Sequence, residues 1–158
     1  LIKAGCDITI NTDTIRIKVN KRLRAIGCVH TAPYPGFPTD LQSQLSVLLS
    51  KCRGVSTITE NLFENRFRHL DEITKLGAKV CGKGKSAVIT RVKELTASAN
   101  EDRPINLFAS DLRGGVALTI VAITAPGSSI VHNAEYIYRG HADIEKDLVS
   151  LGANIIKE

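Results

Sequence analysis

Lys75-Leu76-Gly77-Ala78-Lys79-Val80 returns near the far end of the chain as Ser150-Leu151-Gly152-Ala153-Asn154-Ile155. A looser copy, Lys3-Ala4-Gly5-Cys6-Asp7-Ile8, stands at the start, and the three glycines are 72 and 75 residues apart. Each glycine follows a helical pattern and precedes an alternating one, the place where a helix stops on a left-handed residue. The echo extends upstream. Thr39-Asp40-Leu41 heads one apolar stretch and Ser110-Asp111-Leu112 another; Arg66 lies 26 residues after Asp40, and Arg139 lies 28 after Asp111. Each arginine then precedes a short helix that ends at its glycine. The chain reads as two complete units of about 70 residues, 21–92 and 93–158, behind the tail of another at 1–20. A solenoid would need at least three stacked units with caps. A closed, pseudo-symmetric α/β domain fits better, and three units would close it.

Within the first complete unit, Ile26 to Thr31 reads as a strand, followed by the turn Pro33-Tyr34-Pro35-Gly36-Phe37-Pro38. Proline is excluded from a helix interior, so the helix starts after Pro38. Leu41, Leu45, Leu48 and Leu49 fall at helical spacing and predict the buried face of a helix over 40–51, stopped by Gly54. Val55 to Thr59 is a β-branched strand, and a second helix runs from about Arg68 to Leu76. Lys79–Gly82 and Ala87–Val92 pair around Gly82-Lys83-Gly84-Lys85, which is a hairpin turn and not a phosphate loop. The last unit repeats the pattern with Ile105–Phe108, a helix over 112–124, Ser129–His132 and a helix over 142–151. The helix over 112–124 is apolar nearly all round, as befits a domain interior. Helices inside and sheets outside is the expected arrangement.

At 158 residues and 43% hydrophobic, the chain can bury one core. No apolar run approaches the roughly 20 residues that cross a bilayer. The start, Leu1-Ile2-Lys3-Ala4-Gly5-Cys6, lacks signal-peptide patterning, so a cytoplasmic protein without a membrane partner is expected. A chain with no Met that opens on what reads as a helix end is expected to be a piece of something longer. Cys6, Cys28, Cys52 and Cys81 form no C-x-x-C pair, so no metal site is expected, and they read as reduced, mostly buried small hydrophobes. The net charge of +5 favours an anionic partner. Nucleic acid is disfavoured, because the seven aromatics are not interleaved with the basic residues as a stacking platform requires.

Asp40 and Asp111 have two readings. Each could cap a helix by accepting from free backbone N–H groups. Alternatively, the helix N-termini of successive units converge on one face and present those groups to an anion. Arg66 and Arg139, at matched positions, are either surface ion-pair partners or clamps aimed at one cleft; Arg113, one turn into a helix, could join them. Arg suits that work because its planar fork binds carboxylate or phosphate bidentately. His30, His69, His132 and His141 share no spacing and read as structural or surface residues.

Pro33-Tyr34-Pro35-Gly36-Phe37-Pro38-Thr39-Asp40-Leu41-Gln42 resembles the UDP-N-acetylglucosamine 1-carboxyvinyltransferase family. Glu64-Asn65-Arg66-Phe67-Arg68-His69-Leu70, Ala109-Ser110-Asp111-Leu112-Arg113, and Arg139-Gly140 followed by Leu151-Gly152-Ala153-Asn154-Ile155 agree in order and spacing, over nearly the whole chain. The resemblance implies a two-domain enzyme, each domain an inside-out α/β barrel of three similar units, with this chain as most of the second domain and the other domain absent. It implies transfer of the enolpyruvyl group of phosphoenolpyruvate to the 3-hydroxyl of UDP-N-acetylglucosamine with release of phosphate, at the opening of peptidoglycan precursor synthesis and without a cofactor. By similarity Asp40 is the general base beside that hydroxyl, and Leu62 contacts the sugar nucleotide. Arg66, Arg113 and Arg139 hold phosphoenolpyruvate and its tetrahedral adduct, with Asp111 close by.

The sequence departs from the family in two places. Around Arg139 the family usually reads His-Ile-Asp-Arg-Gly-Tyr, whereas Tyr136-Ile137-Tyr138-Arg139-Gly140-His141 stands here, and Asn100-Glu101-Asp102-Arg103 is longer than typical. The family's Lys-Asn pair and its mobile loop with Cys or Asp fall outside this sequence, so the chain alone is expected to be inactive. The alternatives are the related shikimate-pathway enolpyruvyl transferase and a non-catalytic anion- or nucleic-acid-binding module. A missing unit would leave open sheet edges, which predicts self-association of the chain.

Overall fold

The computed structural model describes residues 1–97 and 103–157, so Asn100, Glu101 and Asp102 of the lengthened stretch lie outside the described residues. The three echoed glycines are three copies of one helix end. Gly5, Gly77 and Gly152 all take left-handed φ, at 104°, 85° and 93°. Their N–H groups donate to Ile2, Thr74 and Val149 carbonyls at 2.9 Å, and the next residues, Cys6, Ala78 and Ala153, donate back to Leu1, Ile73 and Leu148 at 3.0–3.3 Å. Each pair of bonds satisfies carbonyls that a helix end otherwise leaves open.

After Gly5 the chain forms the hairpin β1 (Asp7–Ile10) and β2 (Ile15–Lys18); after Gly77 it forms β5 (Lys79–Lys83) and β6 (Ser86–Thr90). Both are antiparallel, with Ile8 opposite Ile17 in the first and Val80 opposite Ile89 in the second. Between them lie β3 (Gly27–His30), α1 (Gln42–Lys51), β4 (Val55–Thr59) and α2 (Arg68–Thr74). The sheet of this unit runs β3-β4-β6-β5, with β3 parallel to β4 and the remaining pairs antiparallel. Residues alternate across it, so Ser56, Ile58, Ala87 and Ile89 are buried while Val55 and Val88 face out. The last unit repeats the opening: β7 (Ile105–Phe108) is parallel to β8 (Ser129–His132), with α3 (Leu112–Thr124) between them. Gly84-Lys85 forms the two-residue turn of the β5–β6 hairpin, as the sequence predicts.

The helix α3 is interior, as its all-round apolarity predicts: Val116 is buried, and Ala117, Leu118 and Val121 are buried among side chains of α1, α2 and β7. Burying each of the larger ones contributes roughly 1.5–3 kcal/mol. For α1 the structure corrects the leucine-face expectation. Leu45 and Leu48 are only partly buried, against Ile58 and Ile89 of the sheet, and Leu41 is exposed. The buried residues are Gln42, Ser43, Ser46, Val47, Leu49 and Ser50. The helix is covered on two sides. Its leucines meet the sheet, and its small polar side lies in the helical layer, where α1 packs on α3. Ser46 and Ser50 satisfy themselves by donating to the carbonyls of Ser43 and Val47, so their burial leaves no hydroxyl open.

Two further expectations change. Only Cys6 and Cys52 are buried, while Cys28 and Cys81 are exposed because their strand positions face away from the core. A short helix absent from the sequence reading, α4 (Glu135–Tyr138), precedes α5 (Ile144–Ser150). It presses on the start of α3: a Cβ on Gly115 would meet Ile137 Cγ1 at 2.6 Å, and one on Gly140 would meet Leu112 Cδ2 at 2.8 Å. Among the described residues no helix is long and apolar enough to cross a membrane, and no cluster of His, Cys, Asp and Glu could hold a metal.

Nothing lies within 4 Å of a Cβ built on Gly77, so substitution there meets only the left-handed backbone. We expect Gly77→Ala to lower the unfolding free energy by about 1 kcal/mol, read from the urea midpoint at unchanged m-value.

Candidate functional site

Asp40 and Asp111 both stand at the head of a helix, and the structure gives them different work. Asp111 is the cap of α3: its Oδ1 accepts from the Gly114 N–H at 2.8 Å. Asp40 caps nothing. It sits in a single 3-10 turn, Thr39–Leu41, that leads into α1, and its carboxylate points to side chains from elsewhere. Arg113 Nη2 donates to Asp40 Oδ2 at 2.7 Å, and Arg66 Nη1 lies 4.0 Å from Asp40 Oδ1. Asp111 therefore takes the capping role, whereas Asp40 faces two arginines carried by other elements.

Arg113 reaches Asp40 because the first turns of α1 and α3 lie at the same end of two packed helices, 73 residues apart in sequence. Arg66 arrives from the β4–α2 loop, where Asn65 turns the chain at φ 56° and the guanidinium stacks 4.5 Å over the Phe63 ring. The Asp40 side chain remains 51% exposed, against 22% for Arg66 and 31% for Arg113. Ion pairs so exposed contribute only about 0–1 kcal/mol to stability. Their pairing contributes little to the fold, and two guanidiniums and a carboxylate are left reachable from solvent.

Leu62 lies in the same loop as Arg66 and is exposed. Arg139 is placed less closely. It is exposed at the C-terminal end of α4 and makes no ion pair among the described residues. The close seat of Gly140 on Leu112 nevertheless sets the neighbouring backbone beside the first turn of α3. Asp40, Arg66 and Arg113 are thus brought together directly, Asp111 and Leu62 flank them, and Arg139 stands at the margin.

Two buried groups support this cluster: Glu60, which the sequence reading did not single out, and His69, which it read as structural or surface and which is structural. Glu60, 1% exposed at the end of β4, accepts hydrogen bonds from Thr31, Thr39, Leu62 and Phe63. Burial pushes its pKa up, but these four donors outweigh burial and hold it below the ordinary carboxylate value. His69, 2% exposed on α2, lies 2.7 Å from Ser46 Oγ on α1. The Ser46 hydroxyl hydrogen is committed to the Ser43 carbonyl, so His69 is the donor, through Nε2–H. Burial lowers the His69 pKa to about 4, over the opposing influence of Asp111 and the Arg66 backbone. A neutral imidazole is therefore wedged beneath Arg66 and Asp111. No periodicity marks either residue, since each is a polar group at a position where pattern predicts a surface; only the identity of a charged residue closing a β-branched strand hints at Glu60.

Comparison with known proteins follows the same lines. The family described as EPSP synthase (3-phosphoshikimate 1-carboxyvinyltransferase) matches residues 1–148. The chain is 42% identical over 157 residues to UDP-N-acetylglucosamine 1-carboxyvinyltransferase 2 of Caldanaerobacter subterraneus subsp. tengcongensis, covering 99% of this chain and 36% of that protein. It is 41% identical over 155 residues to the UDP-N-acetylglucosamine 1-carboxyvinyltransferase of Rhodopseudomonas palustris, covering 98% and 34%. The chain thus spans about a third of the length of these curated relatives. Among solved structures, the enolpyruvyl transferase NikO from Streptomyces tendae aligns at TM-score 0.85 and 26% identity, over 97% of this chain and 34% of that one. EPSP synthase from Acinetobacter baumannii aligns over 82% of this chain and 30% of that one, at TM-score 0.52 and 14% identity, which speaks to fold alone.

The buried imidazole gives the site a pH dependence of known sign. With its folded pKa below the unfolded value, His69 takes up a proton more readily when unfolded, so stability is lost as pH falls from about 6.5 towards 4. We expect this group to remove about 3 kcal/mol across that window. Urea unfolding of the chain and of His69→Gln at pH 7 and pH 4 checks it: the variant loses this part of the pH dependence.

Proposed function

This chain belongs to the EPSP synthase family of enolpyruvyl transferases, and on that premise we propose that it is the C-terminal part of a UDP-N-acetylglucosamine 1-carboxyvinyltransferase. The complete enzyme transfers the enolpyruvyl group of phosphoenolpyruvate to the 3-hydroxyl of the sugar nucleotide and releases phosphate, in peptidoglycan precursor synthesis. The observation that carries this reading is the solvent-reachable Asp40 carboxylate held 2.7 Å from Arg113 and 4.0 Å from Arg66. In the proposed reaction Asp40 accepts the proton of the attacking hydroxyl. Arg113 and Arg66 turn from Asp40 to the phosphate and carboxylate of phosphoenolpyruvate, which are stronger bidentate partners than a half-exposed side chain. Arg139 completes the clamp, and Leu62 lies against the sugar nucleotide. Asp111 stays on the α3 backbone and fixes the turn from which Arg113 projects.

The identities of 41–42% to sugar-nucleotide enzymes support this acceptor over shikimate 3-phosphate, which the family description alone would favour. The chain works in our reading as the third unit and its neighbour in a closed three-unit barrel, with the second domain supplying the remaining catalytic groups. The hairpin β1–β2 supports incomplete closure in this chain. Ile10, Ile15 and Ile17 are 72%, 67% and 52% exposed, an apolar face that favours self-association until it is covered.

A chimera tests the activity: this chain replaces the matched third of the Caldanaerobacter relative, and phosphate release from phosphoenolpyruvate is followed with UDP-N-acetylglucosamine present. We expect turnover, and a loss of about 100-fold or more in Asp40→Ala. The pair Arg66→Ala and Arg139→Ala should raise KM for phosphoenolpyruvate by at least about tenfold. An Asp40→Ala chimera as fast as its parent would remove Asp40 from the role of base.

A further inference from the structure

We propose that Glu60 is a positioning residue for the site: its carboxylate ties the turn that carries Asp40 to the loop that carries Leu62 and Arg66. Glu60 directly follows β4, a strand held on both sides by β3 and β6, and its own N–H donates to the Lys85 carbonyl at 2.7 Å. Its Oε2 accepts from Thr39 Oγ1 at 2.8 Å, one residue before Asp40. Its Oε1 accepts from Thr31 Oγ1 at 2.7 Å, from the Leu62 N–H at 2.9 Å and from the Phe63 N–H at 3.2 Å. Thr31 is itself fully buried and also receives the Asn61 N–H at 2.9 Å. Three separate segments therefore meet on one side chain.

No cation lies within 4 Å of this carboxylate among the described residues. Burying an unpaired negative charge is costly, and an apolar residue would fill the same space at lower cost. What only a carboxylate does here is accept four donors at once. A glutamine could keep the three bonds to Oε1 but would turn an amino group towards Thr39. The two oxygens thus divide the work: Oε1 shapes the Leu62 loop, and Oε2 holds the turn before Asp40.

The kinetic consequence rests on the enolpyruvyl-transfer reading, whereas the tether itself does not, so the test has two arms. The first is amide hydrogen exchange on this chain. Glu60→Ala should speed exchange at Leu62 and Phe63 about tenfold or more while Ala87 and Ile89 amides in β6 keep their protection and report an intact sheet. The second is kinetics in the chimera. Thr39→Val and Glu60→Gln should lower kcat about tenfold with KM for the sugar nucleotide within about twofold; Glu60→Ala should also raise that KM about tenfold. A side chain that merely stabilises the fold gives no such split. Unchanged exchange at Leu62 and Phe63 in Glu60→Ala overturns the tether. Equal effects of Gln and Ala on both kinetic constants overturn the division between the oxygens. If Glu60→Ala does not fold, Thr39→Val decides, and an unchanged kcat in that variant overturns the link to Asp40. If the parent chimera shows no turnover, the functional reading fails and the exchange arm still decides the tether.

Discussion

The packing of the small, polar side of α1 against α3 is the constraint on which the site depends. Serines at 43, 46 and 50 occupy little volume and bond their own helix, and among them Val47 packs in one cluster with Ala117, Leu118 and Val121 of α3. Gly115 likewise takes little volume on the other side of α3, where a Cβ would strike Ile137 of α4 at 2.6 Å. Because the two helices start at one end, their first turns present Asp40 and Arg113 to each other. His69 fills part of the remaining polar space and stays neutral there, so of the two buried groups that support the cluster only Glu60 carries a charge. Leucines at the serine positions would bury more apolar surface, and would separate the helix starts by a side chain's width.

The repeat was legible because backbone chemistry repeats: three glycines, one left-handed turn, one pair of hydrogen bonds each. Strands β4, β7 and β8 and helix α3 were legible because their β-branched or apolar runs are bounded by turn residues. The buried face of α1 was not. Leu41, Leu45, Leu48 and Leu49 set the period, but a helix covered by a sheet on one side and a helix on the other has two buried faces, and a polar one carries no hydrophobic signal. The helix α4 was hidden for a similar reason, since Glu135-Tyr136-Ile137-Tyr138 is too short to show a period and is fixed by Ile137 seating on Gly115.

The site divides the same way. Asp40, Arg66, Arg113 and Asp111 could be singled out by matched placement and by resemblance, and the structure separates the cap, Asp111, from the converging carboxylate, Asp40. Glu60 and His69 are defined by partners 21 to 29 residues away, through contacts to Thr31, Thr39 and Ser46 that no local pattern encodes. Tyr136 and Tyr138 flank Ile137 on α4, and the Lys157 ammonium lies 4.1 Å from the centre of the Tyr138 ring.

If helix packing places the charges, the Asp40–Arg113 bond is dispensable for folding and free to open. Urea unfolding of the chain with Arg113→Ala measures this directly. The account predicts a loss of no more than about 1 kcal/mol. A loss of about 3 kcal/mol or more would make the ion pair a strut between α1 and α3, and would contradict the claim that it stands ready for a ligand.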